Sequence, residues 1–184
     1  MLSNYILFSI AYILFVYILF SVKVKKDYKN GQKLSTLSSV LEVLAFAGHA
    51  NSLYLIIPTK WPYLPPIPEN QIIRIIFTIM IGIGIIILLV SWFKLGTKSS
   101  LGVDKNKLQT DGIYKYSRNP QLIGYGIILA SFALICFSYL SIIWFLLYLI
   151  TAYFMVKTEE EFMLQKYKEE YKDYCRQVPR IIKI

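Results

Sequence analysis

The sequence predicts an all-α integral membrane protein: five transmembrane helices, the last two a tight hairpin, then an amphipathic cytoplasmic C-terminal helix. Three observations carry this. Of 184 residues, 56% are hydrophobic and 17% charged, with mean hydropathy +0.51, and no polar stretch is long enough for a soluble domain. Residues 119–156, 38 in a row, contain no charged side chain. A bilayer core is ~30 Å thick and a helix rises ~1.5 Å per residue, so this stretch makes two short crossings and not three. Finally, 18 of the 20 basic residues fall between helices one and two, between helices three and four, or in the tail, leaving only Lys60 and Arg74 elsewhere. The positive-inside rule then puts the N-terminus outside and the tail in the cytoplasm.

Each element has its own justification. Residues 1–22 are uncharged, without a basic n-region or small-residue cleavage site, and read as a retained first helix rather than a signal peptide. Residues 34–59 form the second helix, interrupted only by Glu42 and His49, two turns apart on one face. Two readings stand for that pair: a polar contact between helices, or a substrate cavity. Residues 58–70 hold five prolines with Trp61 and Tyr63, which excludes a helix and suits an external cap with interface aromatics. Residues 75–93 are the third helix, with Gly82 and Gly84 as a close-packing signal. The chain thus divides into residues 1–93, three helices and the proline-rich loop, and residues 94–184, a cytoplasmic loop, the hairpin and the tail.

The tail carries an apolar stripe of Leu164, Tyr167, Tyr171, Tyr174 and Val178 at helical spacing. Extended back seven residues from Tyr167, the stripe reaches Glu160, which should point inward while Glu161 faces away. Thr158 with Glu161 also matches a capping box. The formal charge of +9 is explained by topology and anionic lipid, not by nucleic acid. Cys136 and Cys175 lie in different compartments and have no metal-ligand spacing, and a single histidine makes no zinc site.

Both ends of the uncharged hairpin are rich in functional groups and should meet on one membrane face. They are residues 112–120 (GIYKYSRNP) with Gly124, and Glu159-Glu160 followed by Tyr167, Tyr171, Tyr174 and residues 178–180 (VPR). In order and spacing they resemble the C-terminal signature of the isoprenylcysteine carboxyl methyltransferase family, which includes related phospholipid methyltransferases. The resemblance spans roughly residues 94–181 and departs from the family pattern at Asn119, often His, and near Leu122, often Tyr.

The resemblance implies an S-adenosylmethionine-dependent integral membrane methyltransferase, its cofactor held between the last two helices and the tail. It implies Tyr114, Tyr116, Arg118, Asn119, Pro120, Gly124, Glu159, Glu160, Tyr167 and Tyr171 as cofactor-binding residues, with Arg118 and Glu160 closest to the chemistry. The residue types suit that cofactor. Arg118 and the Asn119 amide can hold a carboxylate, either glutamate can accept from an ammonium or ribose, and tyrosine faces can cover adenine or sulfonium. Methyl transfer needs alignment and desolvation more than acid–base groups. The acceptor is expected to be lipophilic and to come sideways from the bilayer: a prenylated or isoprenoid-like carboxylate, or alternatively the amine of phosphatidylethanolamine. An NADPH-dependent sterol-type reductase and a non-enzymatic lipid-binding protein are the remaining readings.

Overall fold

The computed structural model describes residues 2–31, 33–96 and 108–182, and among these every regular element is helical. Lys98, Lys105, Lys107 and Lys183, four of the residues that define the basic side, lie outside the described residues. Leu2–Ile18, Leu19–Val24 and Lys25–Gly31 run on as one rod, α1, whose middle piece is π-helical. Then come α2 (Thr36–Asn51, ending in a 3₁₀ turn Ser52–Leu55), α3 (Gln71–Leu95), α4 (Pro120–Ile135) and α5 (Tyr139–Gln177). Among the described residues, three helices are long and apolar enough to cross a membrane: Ser3–Gly31, Gln71–Leu95 and Tyr139–Gln177. Pro120–Ile135 is apolar but shorter, and α2 has only 16 residues.

The boundaries follow local chemistry. Ser35 caps α2 by accepting from the Ser38 amide, and Asn70 caps α3 by accepting from Ile72 and Ile73. Pro120 occupies the first turn of α4, where its missing N–H costs nothing. Ser138 and Ser141 form a reciprocal capping box at the start of α5. Residues 58–70 are non-helical, as their prolines require.

The tail differs from expectation. No helix begins at Thr158, because α5 continues unbroken from the apolar hairpin into the Lys/Glu-rich stretch, whose residues are themselves good helix formers. Thr158 instead donates to the Phe20 carbonyl at 3.2 Å, within the π-helical stretch of α1. The one break in α5 is Lys168, at φ 46 and ψ −116. This is the conformation of the first central residue of a type II′ turn, where glycine is at ease and a side chain is strained. Lys168→Gly should therefore raise stability by about 1 kcal/mol, read as the midpoint of unfolding in mixed detergent micelles.

α5 is the element on which α1, α2 and α4 meet. The Tyr12 hydroxyl lies 3.0 Å from Thr151 Oγ1 and 3.2 Å from the Ala45 carbonyl, joining α1, α2 and α5. His49 and Trp144 staple α2 to α5 reciprocally. His49 Nε2 donates to the Trp144 carbonyl at 2.8 Å, Trp144 Nε1 donates to the His49 carbonyl at 2.9 Å, and the rings stack. Lower down, Tyr28 stacks on Phe162 at 4.1 Å between centroids. On the other side α4 packs on α3 backbone to backbone: a Cβ on Gly124 would lie 2.7 Å from Leu88 N and 2.8 Å from Gly84 O. Gly84 thus has the packing role expected of it, whereas a Cβ on Gly82 would meet nothing within 4 Å.

Candidate active site

The two ends of the hairpin meet. Asp111 is paired with Lys94 at the end of α3, and that charge holds its carboxyl below the usual range. The backbone then turns through Gly112, whose φ of 65 suits glycine, into a 3₁₀ turn Gly112–Lys115. The Tyr114 carbonyl accepts from Tyr174 at 2.7 Å, fixing this turn to α5. Burial, and after it the charge of Glu159, holds the Tyr114 phenol well above its ordinary range, so it is a neutral hydroxyl at any physiological pH.

Beyond α5 the chain doubles back as a short strap across residues 117–119. The Arg118 amide donates to the Pro179 carbonyl at 3.1 Å. Ser117 Oγ and Asn119 Nδ2 each donate to the Arg180 carbonyl at 3.1 Å. Glu160 stands between two guanidiniums: Arg118 Nη1 is 2.9 Å from its Oε1, and Arg180 Nε is 2.9 Å from its Oε2. This carboxylate also holds Arg180 above its ordinary range. Arg118 Nη1 further donates to Cys175 Sγ at 2.7 Å, while Arg118 Nε is buried without a hydrogen-bond partner. A buried donor left open in this way is costly unless something occupies the adjoining space.

The Arg118 side chain also borders a cleft that is partly open to solvent. Of the residues expected around a cofactor, Tyr114, Arg118, Asn119, Pro120, Glu159, Glu160 and Tyr171 line it. Three do not. Tyr116 is 64% exposed, Gly124 is spent on the contact with α3, and half-buried Tyr167 packs beside the small cluster of Leu108, Tyr171, Tyr174 and Val178. Glu42 and His49 lie outside the lining as well. His49 is fully enclosed in its staple with Trp144, the polar-contact reading of that residue. Glu42 is buried behind the cleft wall, where it and Glu159 both act electrostatically on Tyr28. Glu161 faces away and pairs with Lys25 of α1. Sequence reading missed Gln109, Gln121, Met155, Met163 and Tyr174 as lining residues. Of these, Tyr174 had a signal, since it shares the tail stripe with Tyr171.

A second, apolar groove runs between α4 and α5 and is open along its side. Gly126, Ala130 and Ala152 keep it wide, and Leu149, Phe145 and Ile127 line it. The Tyr148 ring closes one wall, packed over Gly126 with its hydroxyl donating to the Leu122 carbonyl. Asn119 and Leu122 line both cleft and groove, so the two adjoin, and Arg180 stands at the polar end of the groove.

The model of the phospholipid methyltransferase family matches residues 73–170, more than half of the chain. The matched part runs from α3 through both halves of the cleft, including Arg118, Asn119, Glu159 and Glu160. No curated protein and no solved structure matches the chain.

Proposed function

The chain belongs to the phospholipid methyltransferase family, and from that premise we propose that it moves a methyl group from S-adenosylmethionine to a lipophilic acceptor at the cytoplasmic membrane surface. One observation carries the reading: a polar cleft lined by Arg118 and Glu160 adjoins an apolar groove between α4 and α5, with Asn119 and Leu122 in the wall of both. Such a site suits a water-soluble donor and a membrane-dissolved acceptor meeting at one point.

The residues present fit the cofactor. Arg118 lines the cleft with a guanidinium that can hold a ligand carboxylate. Glu159 offers an acceptor to an ammonium or a ribose hydroxyl. Tyr114 and Tyr171 give aromatic faces, and Met155 and Met163 give polarisable apolar surface, for adenine and the sulfonium. S-Adenosylmethionine supplies the electrophile: the acceptor's lone pair bonds to its methyl carbon while the C–S electrons return to sulfur. The protein's work is to hold the two reactants in line and exclude water. A carboxylate acceptor needs no base. An amine must release a proton, and Glu160, with both oxygens held by guanidiniums, is a poor recipient, so Glu159 or water takes it.

Two acceptor classes suit the groove, an isoprenoid-like carboxylate and the amine of phosphatidylethanolamine, and the family match supports the second. Calorimetric titration of the detergent-purified protein with S-adenosylmethionine tests the reading. Micromolar to sub-millimolar binding is expected; preferential binding of NADPH, or of neither nucleotide, would overturn it. The orientation proposed, N-terminus outside with cleft and tail cytoplasmic, rests on the distribution of Lys and Arg.

A further inference from the structure

We infer that Arg180 is the specificity-determining residue for the acceptor, and that its guanidinium holds a phosphodiester at the head of a lipid whose chain lies in the groove between α4 and α5. The inference rests on the methyltransferase reading for the identity of the reaction, but not for the binding event itself.

Charge is the first argument. Two guanidiniums share one carboxylate, so the Arg118–Glu160–Arg180 cluster carries a residual positive charge. Its two cations are not equivalent. The Arg118 side chain is 12% exposed and lines the cleft; that of Arg180 is 58% exposed and lines the groove. Apart from Asn119, whose Nδ2 is committed to the strap, Arg180 is the strongly polar side chain along a wall of otherwise apolar and tyrosine residues. An alkyl chain filling that wall brings the first charged group of its head to this cation, and an anion is the complementary choice.

Position is the second argument, and it separates the acceptor classes. In a carboxylate acceptor the anion is itself the nucleophile and belongs in the cleft with the donor. Arg180 lines the groove and not the cleft, so an anion held there is one that does not react. An aminophospholipid has that arrangement, a phosphodiester two carbons from the nitrogen that receives the methyl.

Ser117 and Asn119 grip the backbone carbonyl of Arg180, not its side chain, so Arg180→Ala removes the cation and its bonds to Glu160 but keeps these backbone contacts of the strap. The experiment compares wild type, Arg180→Ala, Arg180→Lys and, as a surface control, Arg176→Ala, whose side chain is exposed and paired with Asp173. Binding is read without cofactor, by fluorescence of acyl-labelled phosphatidylethanolamine and of diacylglycerol carrying the same label. Transfer is read with phosphatidylethanolamine and with a long-chain primary amine lacking phosphate. Arg180→Ala should weaken phosphatidylethanolamine about 10–100-fold and raise its KM by a similar factor, the scale of a lost charge-assisted hydrogen bond. Diacylglycerol binding should hold within about threefold, S-adenosylmethionine affinity should rise and not fall, because the cluster with Glu160 loses a positive charge, and lysine should restore part of the phospholipid loss. Equal losses for both lipids, or a cofactor affinity falling as steeply as the acceptor's, would overturn the assignment. So would transfer to phosphatidylethanolamine that ignores the substitution; that result leaves the methyltransferase reading intact. Arg180-dependent phospholipid binding in a protein that takes no S-adenosylmethionine would do the opposite, supporting the assignment and ending the methyltransferase reading.

Discussion

Glu160→Gln is expected to weaken S-adenosylmethionine binding about 30-fold while changing S-adenosylhomocysteine binding much less. The cofactor carries a sulfonium, an ammonium and a carboxylate, a net charge of +1; the product lacks the sulfonium and is neutral overall. Removing the glutamate charge raises the cluster of Arg118, Glu160 and Arg180 from +1 to +2. Over roughly 8 Å at an effective dielectric constant of about 20, one unit charge is worth about 2 kcal/mol, which is about 30-fold in affinity. The two ligands therefore separate an electrostatic effect from simple damage to the fold. Damage would lower both affinities together. Some loss of stability is expected too, because Arg118 is mostly buried and loses its carboxylate partner. Glu161→Gln is the matched comparison. Its partner Lys25 is 41% exposed, and a pair so placed contributes on the order of 0–1 kcal/mol. Calorimetry on the three proteins with both ligands decides the matter; equal losses for both ligands in Glu160→Gln would remove the electrostatic account.

Gly124→Val should cost more stability than Glu160→Gln, and should abolish methyl transfer with it. Even the first added carbon at Gly124 meets backbone on both sides, 2.7 Å from Leu88 N and 2.8 Å from Gly84 O. Backbone cannot rotate aside as a flexible side chain can, so α3 and α4 must separate. Overpacking of this kind costs ~3 kcal/mol or more, and α3 has little else to hold it, since most of its large residues face outward. The site suffers because α4 begins at Pro120, one residue after Asn119 and just over one turn before Gly124. A tilt of α4 therefore moves the cleft wall. Gly82→Ala gives the contrast. With nothing within 4 Å of the added carbon, it should be neutral or stabilising by up to about 1 kcal/mol. Unfolding in mixed detergent micelles, followed by circular dichroism, measures both. A Gly124 variant as stable as wild type would show that α3 and α4 do not rely on this contact.

These residues also show what the sequence made legible. Glu160 could be placed inward and Glu161 outward because helical periodicity is local information, and both lie as the stripe implied. The meeting of Arg118 with Glu160 was legible because a hairpin of two short crossings must return its flanks to one side. Gly124 misled because a glycine beside a site motif has two uses, close approach to a ligand or to another helix. Only the position of Gly84, 40 residues earlier, decides between them. His49 was undecided for the same reason: its partner Trp144 lies 95 residues away, and nothing near His49 signals it. The continuity of α5 was hidden by a change of solvent. Composition shifts sharply at Lys157, but a helix that leaves a bilayer has no reason to stop when its next residues favour helix as well.

The π-helical stretch Leu19–Val24 has a consequence for the rest of α1. A wide turn acts as one extra residue in the winding, so everything after it is rotated by about 100° relative to an uninterrupted α-helix. Tyr12 before the stretch and Tyr28 after it therefore answer to different phases. The first meets Thr151 and the second stacks on Phe162, both on α5. Deleting one residue there would regularise the winding yet swing Tyr28 and Lys25 off their partners, so the apparent defect is what lets one straight rod stay in step with another along its whole length.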